Sequence, residues 1–275
     1  MPKANLTLAI QRLAKKFSGT FGVAAHDCAT GAEIFYNADV VFPTASMVKL
    51  GILLELFRQR EANQLSLDEQ LTVHKADKTS GSGLLENMSD EVTLSLHDLA
   101  VLMNAISDNT ATNVLIERLG IVNINRAMQE AGMSHTTLFR KIVFAGNRKL
   151  KYPNFATGTP RDFMTLLLNL YEGKLLNKQH TKAMLTIMRI QKNMGNLVRY
   201  VKFNPYGDDK QAWVASKTGS ITGARNESGI VHTAHGAHIV AVMSKECKDE
   251  QWTPDNEGTV LVATVSKLIY DEWRK

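Results

Sequence analysis

The sequence predicts an α/β (α+β) chain: an antiparallel sheet built from both termini and flanked by helices, with an all-helical lobe inserted. Three observations predict it. Short β-prone segments near the start, in "GTFGVAAHDCATGAEIFYNAD", return from Gln211 onward. The stretch between carries apolar residues at helical spacing, and no repeat, low-complexity run or linker divides the chain. The expected layout is a single domain over 1–275, with an α/β lobe over about 1–42 and 205–275 and a helical lobe over about 43–204.

The elements follow in order. Leu6, Ile10, Leu13 and Phe17 recur at helical spacing and predict a first helix, and two short strands follow around a turn at Thr30-Gly31. The apolar run from Met47 to Phe57 reads as a buried helix with Ser46 at its start. A polar, Gly-rich loop, "KADKTSGSGLLENMSDE", leads to a helix opened by the capping pair Ser95 and Asp98, with Leu96, Leu99, Ala100, Met103 and Ile106 inward. "SDNTATNVLIERLG" starts another helix and stops it at Gly120. Thr159 caps and Pro160 opens a helix that ends by Gly173, and "NKQHTKAMLTIMRIQ" is amphipathic. "QAWVASKTGS", "SGIVHTAHG" and "AHIVAVMSKE" predict an antiparallel meander, and "DNEGTVLVATVSKLIYDEW" a last helix.

Composition excludes several classes. The 275 residues, 44% hydrophobic and 21% charged, suffice for a core without a metal or disulfide staple. The net charge is +5, but the basic residues are dispersed and show no nucleic-acid-binding motif, so no nucleic-acid partner is expected. Cys28 and Cys247 fit no zinc spacing and read as two partly buried thiols. The N-terminal stretch lacks the unbroken apolar core of a signal peptide, and no run approaches eighteen apolar residues. The expectation is a soluble chain with no membrane segment and no export signal, cytoplasmic or given without its leader.

The chemistry centres on "FPTASMVKLGILLELF". Ser46 and Lys49 are three apart, so a helix places them on one face and the lysine amine within reach of the hydroxyl. A serine becomes a good nucleophile only when a neighbouring base takes its proton, and a lysine serves only when burial or a nearby cation lowers its pKa. Such a four-residue pattern occurs about once by chance in a chain this long. Two further triplets change the odds. Ser107-Asp108-Asn109 falls at a helix–helix junction and Lys217-Thr218-Gly219 at the end of a predicted strand. Taken singly, each suits a helix cap or a strand end.

With "SMVKL", "SDNTATNVLIERLG", "TPRDF", "SKTGS" and "SGIV" in this order, the chain from about Phe21 onward resembles the class A β-lactamase family, relatives of the penicillin-binding proteins. The resemblance implies a β-lactamase/DD-peptidase-like fold and a serine hydrolase acting by acyl transfer, with no metal or cofactor. It implies Ser46 as nucleophile and Lys49 as its base or proton relay. Ser107 would pass the proton to the leaving nitrogen, and Lys217 would hold that relay and help keep Lys49 neutral. Asn109 would bind the substrate's side-chain amide, Thr218 and Ser220 its carboxylate, and the Ser46 and Ser220 N–H groups would form the oxyanion hole. Asp108 would organise a loop. The implied partner is a small β-lactam or peptidoglycan-like molecule.

Two departures qualify the resemblance. Class A enzymes activate the deacylating water with a loop glutamate in a pattern like Arg-x-Glu-Pro-x-Leu-Asn. Here Arg140 fits, but Ile142 stands where the glutamate belongs. No Asp or Glu occurs from Arg140 to Arg161, while Arg148, Lys149 and Lys151 add positive charge. Slow deacylation is therefore expected. The arginine before Gly-Ile is Ser228, with Arg225 three residues earlier as a possible substitute. Three rivals stay open: a β-lactam-binding protein that acylates and stalls, an esterase or D-amino-acid peptidase on the same scaffold, and a non-catalytic binding protein. His232, His235 and His238 recur at intervals of three, but on a hairpin whose residues alternate faces, so no metal site is expected.

Overall fold

The computed structural model describes residues 3–143, 155–201, 204 and 212–274. Helix α1 (Lys3–Ala14) precedes strands β1 (Thr20–Asp27) and β2 (Glu33–Tyr36), which turn at Thr30-Gly31 as the sequence predicts. At the other end of the chain β8 (Trp213–Ile221), β9 (Ala224–Thr233) and β10 (Gly236–Lys245) form the meander, and α8 (Glu257–Trp273) closes it. The five strands make one antiparallel sheet in the order β2-β1-β10-β9-β8, in which Thr20 pairs with Lys245 and Lys217 with Ser228. Sequence distance is thus bridged at the centre, where β1 meets β10.

Both faces of the sheet are covered, and the period of two in each strand shows how. Val23, Ala25, Val240 and Val242 join Leu6 and Ile10 of α1 and Val262 and Ile269 of α8. Ala24, Ile239, Ala241, Ala215 and Ile230 turn the other way into the larger core. Alternate residues therefore serve two cores at once, which is why these strands read as nearly continuous apolar runs.

The larger core is helical. A 3-10 turn (Ala45–Val48) follows β3 (Phe42–Pro43) and leads into α2 (Lys49–Glu61). Leu50, Ile52, Leu53, Leu54, Leu56 and Phe57 of α2 are all buried, so the helix is enclosed on nearly every side. Each such side chain contributes roughly 1.5–3 kcal/mol by leaving water. A Cβ at Gly51 would lie 2.4 Å from Met128 Sδ, so the Met128 side chain fills the space that a larger residue there would need. Around α2 stand α3 (Leu96–Ala105), α4 (Asn109–Leu119), α5 (Ile121–Glu130) and α7 (Lys178–Arg189), while α6 (Pro160–Tyr171) packs against β1, β9 and β10. Two small sheets complete the chain, β4 (Gln70–Val73) with β5 (Val92–Ser95), and β3 with β7 (Ala156–Gly158) and β6 (Thr137–Leu138).

The expected caps are in place. Ser95 Oγ accepts from Asp98 N at 3.0 Å and donates to Asp98 Oδ2 at 2.7 Å, and Thr159 Oγ1 accepts from Asp162 N at 3.2 Å. Two details differ from the sequence reading. Ser46 lies inside the 3-10 turn, one turn before α2, and Lys217-Thr218-Gly219 lies within β8, which continues to Ile221. Among the described residues no helix is long and apolar enough to cross a membrane. Arg148, Lys149 and Lys151 lie outside the described residues.

Candidate active site

The three triplets converge where β8 meets the helical core. Gly219 makes that meeting possible, since a Cβ there would fall 2.5 Å from Thr44 O, 2.9 Å from Met47 N and 3.1 Å from Ser46 N. Strand β8 therefore runs against the turn that carries Ser46, and Ser220 follows directly. Asn226 anchors the same turn from β9: its Nδ2 donates to Pro43 O at 2.8 Å, while its Oδ1 accepts from Ser244 N at 2.8 Å. In a 3-10 turn residues i and i+3 eclipse, so Ser46 and Lys49 still share a face.

Lys49 is fully buried, and its Nζ donates to Ser107 O at 2.7 Å, Ser107 Oγ at 3.1 Å and Asn109 Oδ1 at 3.1 Å. The first and second triplets are thereby joined through the Lys49 nitrogen. Ser46 is part-exposed. Strain marks the same places. Ala45, just before Ser46, has φ 47°, and Ser107 has φ 60°, a left-handed conformation that costs a non-glycine residue on the order of 1–3 kcal/mol. Asp108 explains how Ser107 is held there. Its carboxylate accepts from Leu84 N at 2.7 Å, Leu85 N at 3.0 Å and Ala111 N at 2.9 Å, tying the polar loop to the start of α4.

Lys217 is also fully buried, and its Nζ donates to Thr218 O at 3.1 Å. It bears no hydrogen bond to Ser107, so its charge reaches the other two triplets through space. Burial, then the positive charge of Lys217, pushes the Lys49 pKa well below the ordinary lysine value, with Asp108 opposing. Burial pulls Lys217 down to about 7 against the opposing charge of Glu227, and pushes Glu227 itself up to about 7. A buried amine whose charged form is disfavoured thus follows Ser46 by one turn on the same face. Such an arrangement suits base-assisted attack on a carbonyl.

Thr218 is buried and Ser220 part-exposed along the same strand. Arg225 is turned away from them. Its guanidinium donates to Ile221 O at 2.6 Å, Ala224 O at 3.0 Å and Gln251 O at 2.7 Å, and stacks over Trp252, so it closes the β8–β9 turn. The three histidines diverge. His232 stacks on Trp213, His238 packs between Tyr270 and Trp273 on the other face of the sheet, and His235 sits in the turn.

Two residues that the motifs did not flag frame the site. Asn113, one helical turn after Asn109, accepts from Ile142 N at 2.7 Å and donates to Ile142 O at 2.8 Å. Ile142 is therefore held by its main chain, through a residue about 6 Å along α4 from Asn109. Glu227 is the other, a buried carboxylate that accepts from Ser216 Oγ at 2.6 Å and Leu197 N at 2.9 Å. The available signal for it was a charge inside a strand flanked on both sides.

Comparison with known proteins shows the family and the fold. The profile of the beta-lactamase enzyme family matches residues 5–273. The chain belongs to that family. The crystal structure of a β-lactamase from Sphaerobacter thermophilus DSM 20745 superposes with a TM-score of 0.89 at 28% identity, covering 100% of this chain and 98% of that one. A mutant of PBP-A, solved as an acyl-enzyme complex with penicillin G, gives 0.84 at 30% identity, covering 100% and 98%. The β-lactamase regulatory protein BlaB of Streptomyces cacaoi is 24% identical over 94% of this chain and 93% of its own length. The fold is thus that of the β-lactamases and PBP-A, and the relatives indicate a hydrolase.

Proposed function

We propose that this family member is a serine hydrolase that opens β-lactam rings through an ester on Ser46 and releases the product slowly. The supporting observation is the position of Lys49, buried, discharged by its surroundings and bonded to Ser107 and Asn109. Lys49 takes the Ser46 proton as Oγ bonds to the lactam carbonyl carbon. The carbon–nitrogen bond then breaks, and the nitrogen receives a proton by way of Ser107. The Ser46 and Ser220 N–H groups hold the carbonyl oxygen, Thr218 and Ser220 meet the substrate carboxylate, and Lys217 supplies positive charge. Water must then cleave the ester and return the proton, restoring Ser46.

That last step needs a base aimed at water, and Ile142 offers none. A positioned general base is worth roughly 10²–10⁴ in rate, or about 3–5 kcal/mol of barrier. Mixing the protein with a chromogenic cephalosporin, while following product release and intact mass, tests the whole scheme. The expected result is a burst, a slow steady phase and an adduct that peptide mapping places on Ser46 and that Ser46→Ala abolishes. An adduct on another residue, or turnover at tens per second with no burst, overturns it.

BlaB is named a β-lactamase regulatory protein, and a regulatory role is a second reading of the same site, in which Ser46 acylates and does not turn over. The steady phase separates the two, being measurable in the first and absent in the second.

A further inference from the structure

We propose that Glu227 is a positioning residue for this site, supplying from the back of β8 the buried negative charge that balances Lys217. The inference rests on the acyl-transfer reading above. In the β8–β9 register Glu227 stands opposite Thr218 and Ser216 opposite Gly229. Ser216, Thr218 and Glu227 therefore share one face of the sheet. Lys217 projects from the other, with Ala215 and Gly219. One strand separates the two charges, and both are shut off from water, Lys217 at 0% and Glu227 at 2% exposure.

A carboxylate so placed is costly unless it serves a charge. Ser216 Oγ and Leu197 N hold its two oxygens, and among the described residues no cation lies within ion-pair distance of it. The remaining charges nearby are committed elsewhere. Asp108 acts on Lys49, Arg225 faces backbone carbonyls at the turn, and Arg189 lies over Trp213 at the start of β8. The buried residues of α8 are uncharged, as is Val242, the β10 partner of Glu227. Glu227 is the carboxylate whose charge opposes the discharge of Lys217.

The consequence has a definite sign. With Glu227 ionised, Lys217 keeps its proton, and its charge keeps Lys49 free of one. Without that charge Lys217 gives up its proton at lower pH, and a neutral Lys217 lets Lys49 hold its proton to higher pH. The pH profile of acylation must then narrow from both sides, with the basic limb moving down and the acid limb moving up. A merely structural role would lower the profile without moving its limbs.

The test is the second-order rate of Ser46 acylation by a cephalosporin, from about pH 5 to about pH 9, in wild type and Glu227→Gln. A second readout follows the ¹³Cε signal of Lys217, assigned by its loss in Lys217→Gln, so that the charge coupling is measured without activity. The expected result is a narrowed profile and a lower Lys217 midpoint, both restored towards wild type in Glu227→Asp. Unmoved limbs and an unmoved midpoint in a folded Glu227→Gln overturn the proposal. If that variant fails to fold, Ser216→Ala, which removes one donor to the carboxylate, must shift limb and midpoint the same way by less, and no shift there also overturns it. Failure of the wild type to acylate at Ser46 defeats the acyl-transfer reading, while the Lys217 midpoint still decides the role of Glu227.

Discussion

Two buried charge arrangements sit toward opposite edges of one sheet, and they are handled differently. At the end of β1, Asp27 meets Arg274 at 2.5 Å, each side chain about 2% exposed, and Arg274 also donates to Ala237 O at 2.6 Å. Burial pushes the Asp27 carboxyl up, but the Thr30 hydroxyl and Arg274 outweigh it and hold the pKa below its ordinary value. At the other edge Lys49 and Lys217 are as deeply buried but, among the described residues, form an ion pair with no carboxylate, and burial favours the neutral form of both. A charge paired directly fixes the chain end to the sheet. A charge left at one remove from its partner becomes a proton that can be given or taken.

The contrast breaks or sharpens under substitution. Arg274→Ala leaves Asp27 as an uncompensated buried charge and should cost about 3–5 kcal/mol of stability, read by denaturant midpoint, without moving either limb of the acylation profile. A displaced limb would show that the two edges are coupled. Lys217→Met should do the reverse, losing about 10²–10³ in acylation rate while costing about 1 kcal/mol or less, because Glu227 can accept a proton. Its acid limb should also move to higher pH, since the cation that discharges Lys49 is gone. A loss of stability as large as that of Arg274→Ala would erase the distinction.

Ile142→Glu tests the deacylation end of the site. Asn113 holds the main chain of residue 142, so the new carboxylate arrives without refolding the local segment. Steady turnover should rise by about tenfold to a hundredfold, short of a fully positioned base, and an unchanged adduct lifetime would place residue 142 away from the ester. The smallest effect concerns acid. The stability that Asp27 contributes is present above its unfolded pKa, near 3.8, and lost as pH falls through its lower folded value. Below about pH 4, Asp27→Asn should therefore show a shallower decline of stability than wild type, as followed by circular dichroism.

Much of this was legible where the determining chemistry is local. Ser95 with Asp98, Thr159 with Pro160, and Gly120 announce helix ends because each cap is satisfied within a few residues. Helix α5 escaped notice because it starts directly after Gly120 with no side-chain cap. Strands β3, β6 and β7 have two or three residues each, too few to show a period, and their partners are distant in sequence. The 3-10 turn at Ser46 could not be told from a helix start, since both set i and i+3 on one face. The motifs located Lys49, Ser107, Asn109 and Lys217, whereas Glu227 and Asn113 act through partners that only folding brings near. Arg225 matched the carboxylate-binding role in charge but not in direction.

The strand order also sets a timetable for assembly. Strand β1 leaves the ribosome early, yet its neighbour β10 ends at Lys245, and β9 and β8 lie beyond β10 in the sheet. Pairing across so long a loop is slow compared with local helix formation. The helices carrying Lys49 and Asn109 can gather before the sheet exists, as can the turn carrying Ser46. Lys217 and its strand arrive only with the final quarter of the chain. Competence to react with a probe is therefore a late milestone of folding, and a nascent chain stopped before β8 should hold a serine and its base but remain chemically silent.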